Sequence, residues 1–171
     1  KTQNKKINII QIISRSSNHD IDLSLRNGGL FFDKGFHFFD LACWLGKSVP
    51  EKMIVISKSI SNDDFLKKGD FSDAVINMRL KNGIIVEFIF SRKCKKGNFE
   101  KIKVYGKNFS FDSDKYSKKK SLFKDYSIRH KESYFKCLNK FLKTKKKEHL
   151  LEEGILAQKI CNSALIKAKI Q

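Results

Sequence analysis

The sequence predicts an α+β domain: a largely antiparallel open β-sheet with helices packed on one face. Three observations carry that expectation. Short β-branched and aromatic runs succeed one another through the middle of the chain, and two pairs of them flank Asn- and Gly-containing turns. Apolar residues at helical spacing occupy one segment before most of these runs and two segments after them. At 171 residues, 40% hydrophobic and with 15 Phe, the chain fits one domain with a real core and is not disordered throughout.

Ile7 to Ser14 reads as the first strand, and an irregular polar stretch runs from there through Arg26. The segment from Asn27 to Leu45 then threads three ionisable side chains through apolar sequence. As one helix it places Asp33, His37 and Asp40 at i, i+4 and i+7, a stripe on one face. Phe36, Phe38, Phe39, Leu41, Ala42, Trp44 and Leu45 cover most of the remaining circumference, so the helix is expected to be largely buried. Buried carboxylates and imidazoles need partners. Either the three satisfy one another structurally, or they line a cavity where a polar ligand completes the network.

Met53 to Ile60 reads as a second strand. Asp73 to Leu80 alternates, with Ala74, Ile76, Met78 and Leu80 on one face, and Lys81-Asn82-Gly83 turns it back into Ile84 to Ser91. Lys101 to Tyr105 and Phe109 to Phe111 flank a second turn, Gly106-Lys107-Asn108. Two helices finish the chain. Tyr134, Phe135, Leu138, Phe141 and Leu142 stripe the first, and Leu151, Ile155, Ala164, Leu165 and Ala168 stripe the second. Ile85 and Ile89 lie opposite the row Ile84, Val86, Phe88, Phe90, so both sheet faces carry apolar residues, which calls for another domain or subunit.

A net charge of +18 invites a nucleic-acid reading. Only five of the 36 basic residues are Arg, however, and the runs Lys118-Lys119-Lys120 and Lys145-Lys146-Lys147 fall between elements, where solvated loops belong. Cys43, Cys94, Cys137 and Cys161 include no C-x-x-C pair and read as reduced, mostly buried thiols. Metal ligation by Asp33 and His37 lacks a further His or Cys at convincing spacing. With no bilayer-length apolar run and no secretion signal, a cytoplasmic protein is expected. No phosphate-cradling glycine motif occurs, and the chain enters a strand almost at once, as the latter part of a longer protein would.

The segment G-G-L-F-F-D-K-G-F-H-F-F-D, Gly28 to Asp40, resembles the G-G-x-x-x-D-x-x-x-H-x-x-D segment of the Gfo/Idh/MocA oxidoreductases, particularly the inositol 2-dehydrogenase-like members. Other landmarks follow in family order. Ser14-Arg15, Gly69-Asp70-Phe71-Ser72-Asp73-Ala74, Ser91-Arg92, Lys103-Val104-Tyr105-Gly106, the stretch from Ser127 to Tyr134, and Glu153-Gly154 are each similar to a family motif. The resemblance implies that residues 1–171 form the C-terminal substrate-binding and oligomerisation domain, without the N-terminal Rossmann domain that binds NAD or NADP.

The implied activity is oxidation of a secondary hydroxyl of a sugar or polyol such as inositol, for which the fragment alone would be inactive. Removal of a hydroxyl proton needs a base, and His37 suits that task, with Asp33 orienting the imidazole. By the same resemblance Asp40, Arg15 and His130 contact substrate, and the domain forms a homo-oligomer through its sheet. Departures leave the substrate open: Ser16-Ser17 replaces a frequent Asp-Pro, and Lys96 stands at an expected Tyr. The alternative from another class is a non-catalytic basic α+β domain that binds nucleic acid or a protein.

Overall fold

A computed structural model of the chain describes residues 6–16, 20–60, 62–94, 98–115, 135–136, 139 and 149–169. Within them β1 (Ile7–Arg15), β2 (Pro50–Lys58), β3 (Asp73–Leu80), β4 (Ile85–Ser91), β5 (Phe99–Gly106) and β6 (Phe109–Asp112) form one open sheet in the order β2-β3-β4-β1-β5-β6. Neighbouring strands are antiparallel except β1 and β4, which run parallel with Ile9 beside Ile85 and Arg15 beside Ser91. The sheet is therefore mixed, and β1 sits at its centre although it opens the chain.

Both expected turns form. Gly83 closes the β3–β4 hairpin at φ +85°, a value that a side chain disfavours, and Asn82 ties the turn to α2 (Phe36–Gly46) by donating to the Gly46 carbonyl at 2.8 Å. Lys107 and Asn108 join β5 to β6, with Gly106 paired to Phe109. The stretch read as irregular holds a short helix, α1 (Ile21–Arg26), capped by Asp20, whose carboxylate accepts from the Asp22 and Leu23 amides at 2.9 and 3.3 Å. One and a half turns are too few for a periodic apolar stripe to announce them. The same holds for α3 (Asp64–Lys67). Of the expected helix around residues 134–142, positions 135, 136 and 139 are helical and the rest lies outside the described residues. The last helix, α4, spans His149–Lys169.

The core lies between one sheet face and the helices. Ile10 and Ile12 of β1, Ala74, Ile76, Met78 and Leu80 of β3, and Val86, Phe88 and Phe90 of β4 are all buried there, against Phe39 and Ala42 of α2 and Ile160, Cys161 and Ala164 of α4. Phe39 is the pin. Its ring meets Phe88 edge-on with centroids 4.9 Å apart and Phe90 at 6.0 Å.

The opposite face is uncovered among the described residues. Ile9, Ile54, Ile56, Ile85 and Tyr105 are exposed there, so the apolar second face read from the alternation is real. A polar row crosses it: Asn77, Glu87, Gln11 and Lys103 are successive cross-strand neighbours, with Gln11 donating to Glu87.

Candidate active site

The segment expected as one helix is built in two parts, and the break falls at the first of its ionisable residues. Gly28 and Gly29 turn the chain out of α1 at φ +86° and +77°. Phe31–Gly35 then forms a π-helical turn, and only from Phe36 does α2 proceed as an α-helix. Asp33 therefore sits within the π turn and His37 in the first turn of α2 that follows it.

Asp33 is held by a residue that sequence reasoning passed over as a landmark. Arg92 Nη1 donates to Asp33 Oδ2 at 3.1 Å, and Nη2 lies 3.6 Å from Asp70 Oδ2. The Arg92 side chain is 1% exposed and Asp70 4%, whereas Asp33 is 27% exposed. The Phe65 ring sits 5.1 Å from the guanidinium carbon, and the Arg92 amide donates to the Ser72 carbonyl at 2.8 Å. Asp70 accepts from the Leu30 amide at 3.0 Å. A charged cluster therefore grips the π turn from beneath, through the amide before it and the carboxylate within it. The sequence signal was present: Asp70 stands in the loop before β3 and Arg92 directly after β4, where a buried charge is costly without a partner.

Gly29 makes the approach possible. A Cβ there would lie 2.6 Å from Asp70 Oδ1, in a backbone region that side chains rarely adopt. Gly29→Ala is accordingly expected to cost more than the ~1–2 kcal/mol of the left-handed strain alone. Equilibrium urea unfolding would check it, and an unchanged midpoint would contradict the tight packing.

His37 is exposed at the start of α2, and its ring meets Phe36 edge-on at 5.6 Å. The helix is half-buried rather than enclosed: Phe39, Ala42 and Gly46 are inside, while Trp44 is 66% exposed. Asp40, half-buried, faces a cavity of about 600 Å³ that Cys43, Trp44, Val49, Glu153 and Leu156 also line. Arg15 is not brought to this side. It follows Ile13 on the uncovered sheet face, and its guanidinium donates to the Lys93 carbonyl at 3.2 Å. The core face at the end of β1 is taken by buried Ser14. His130, Lys96, Cys137, His19 and both Lys runs lie outside the described residues.

Burial and the neighbouring Asp40 charge push the Cys43 thiol up to about 11, and burial pushes Cys161, which donates to the Phe31 carbonyl at 3.2 Å, up to about 12. Both are free thiols, as is Cys94. At pH 8 only about one Cys43 thiol in a thousand is ionised, so alkylation of Cys43 and Cys161 in the folded protein is expected to be slow. Mass spectrometry after brief iodoacetamide treatment reads it; rapid labelling of either would refute their burial.

Among the described residues no cluster of three or more His, Cys, Asp or Glu side chains is placed to hold a metal ion, and no helix is long and apolar enough to cross a membrane.

The fold is one found in dehydrogenases. It superposes on a probable dehydrogenase from Thermotoga maritima with TM-score 0.83 at 22% identity, over 96% of this chain and 54% of that one. A scyllo-inositol dehydrogenase from Lactobacillus casei, solved with NAD(H) and scyllo-inositol, gives TM-score 0.78 at 15% identity over 95% and 54%. The chain belongs to the GFO/IDH/MocA family: residues 10–112, more than half of it, match the family's C-terminal domain.

Among curated relatives it is 24% identical over 154 residues to the myo-inositol 2-dehydrogenase of Thermotoga maritima, covering 82% of this chain and 46% of that protein. To an uncharacterised oxidoreductase of Bacillus subtilis it is 29% identical over 107 residues, 62% of this chain and 31% of the relative. The chain thus spans less than half the length of either.

Proposed function

We propose that residues 1–171 are the substrate-side C-terminal domain of an NAD(P)-dependent dehydrogenase that oxidises a secondary hydroxyl of a sugar or polyol, an inositol being the first candidate. One observation carries the reading. In a domain of this oxidoreductase family, an exposed imidazole, His37, follows by one turn a half-exposed carboxylate, Asp33, that a buried guanidinium holds in place. His37 takes the hydroxyl proton as the carbinol carbon is oxidised, imidazole being the side chain whose ordinary titration falls nearest neutral pH. Asp33, its orientation fixed by Arg92, accepts from a substrate hydroxyl and favours the positive charge that His37 gains. Asp40 accepts from a further hydroxyl, and His130, by the family resemblance, also contacts the substrate. The test is a screen of the full natural protein against inositols and related polyols, following nicotinamide reduction. Turnover with a polyol supports the reading, and inertness towards the whole class with either cofactor sinks it.

The described residues do not fit the dinucleotide itself. A pyrophosphate needs a glycine-rich turn between a strand and a helix N-terminus, and Gly28-Gly29 instead joins α1 to the π turn. A bound nicotinamide supplies the hydride acceptor, and its cradle belongs to a dinucleotide-binding half. The 171-residue chain by itself is expected to show no micromolar affinity for NAD(H); calorimetry that measured such affinity would refute this division of labour.

The uncovered sheet face is proposed as the contact with a second copy of the chain. The stripe Ile56, Val75, Ile89 and Ile13 crosses four strands, and Ile85, Ile9 and Tyr105 form another beyond the polar row. Sedimentation equilibrium is expected to show a self-associating species, weakened by Ile54→Lys or Ile56→Lys. A monomer at high concentration would remove the proposal.

A further inference from the structure

Arg92 divides its two ends unequally, and the division is informative. Asp70, almost wholly buried, would by itself neutralise the guanidinium inside the core, where attraction between charges is strongest. Yet the contact within hydrogen-bonding distance goes to the more exposed Asp33, while Asp70 stays at 3.6 Å and spends its Oδ1 on the Leu30 amide. Nε and Nη2 of Arg92 and Oδ2 of Asp70 form no hydrogen bond among the described residues. A pair selected for stability alone would close on the dry partner.

Resting on the function proposed above, we propose that Arg92 is a positioning residue of the active site, acting through Asp33. The planar guanidinium, seated against the Phe65 ring, takes Asp33 Oδ2 and leaves Oδ1 to accept from a substrate hydroxyl. Asp70 sets the opposite end of the guanidinium and, through Leu30, the start of the π turn that carries Asp33. Orientation of a carboxylate by a partner that never touches substrate is the arrangement by which outer residues commonly govern inner ones.

The experiment is a double-mutant cycle in the full natural protein, with kcat and KM measured per folded molecule and Tm recorded for each variant. Arg92→Lys keeps the charge but loses the fork. It is expected to lower kcat about 10- to 100-fold in the parent. In an Asp33→Asn background, the same substitution is expected to change kcat less than about two-fold, because the group it positions is already gone. A purely structural Arg92 would lower Tm in both backgrounds and leave kcat per folded molecule unchanged, which overturns the proposal; so would equal losses in the two backgrounds.

If Arg92→Lys does not fold, Asp70→Asn takes its place, since the amide oxygen still accepts from Leu30 while the guanidinium loses its second charge. The same background-dependent loss is expected, smaller in size, and its absence overturns the proposal equally. Asp33→Asn alone separates the two levels of inference. Unchanged turnover in that variant removes the functional reading, whereas an Asp33 effect without an Arg92 effect removes only the positioning role.

Discussion

Replacing His37 with Ala in the full natural protein is expected to lower kcat by about 100-fold or more, the usual scale for losing a general base. Tm is expected to stay nearly constant, because the ring is exposed and its contact with the Phe36 ring is edge-on. The two readouts together discriminate. A histidine that served only to satisfy a helix would give the reverse pattern, a lower Tm with kcat per folded molecule unchanged, and that result would end its catalytic assignment. Asp33→Asn is expected to lower turnover and also to cost some stability, since it weakens a charge-assisted bond from a buried Arg.

The largest stability effect is expected at Phe39. Truncation to Ala empties the space between Phe88 and Phe90, all three rings being fully or almost fully buried, and large-to-small changes of this kind cost about 3–5 kcal/mol. Set against the roughly 5–15 kcal/mol by which domains are stable, that is a substantial fraction. Guanidinium unfolding would measure it. A loss below about 1 kcal/mol would mean that α2 is not pinned to the sheet through this residue.

The sheet was legible because its strands obey a period of two: Ala74, Ile76, Met78 and Leu80 were read as one face and are buried as one face, and the Asn82-Gly83 turn is where its chemistry puts it. Strand order was not legible, since nothing local in Ile7–Arg15 tells it to pair with β4 and β5 rather than with its neighbour in sequence. The candidate site was legible as residue types, whereas the π turn that carries Asp33 is invisible to a helical count. Arg92 and Asp70 looked like punctuation at strand ends. Their partnership joins positions far apart in sequence, and only folding reveals it.

The parallel pairing of β1 with β4 also fixes an order of events. The β3–β4 hairpin closes over a few residues and is the cheapest contact in the sheet, whereas Ile9 must wait for Ile85, and then for Tyr105 on its other side. On a ribosome, where β1 emerges first, its isoleucine-rich strand therefore stays unpaired until most of the sheet has been synthesised. During that interval it is an adhesive edge that a chaperone or another nascent chain can capture. The centre of the finished sheet thus gains its neighbours only after β4 and β5 have been made.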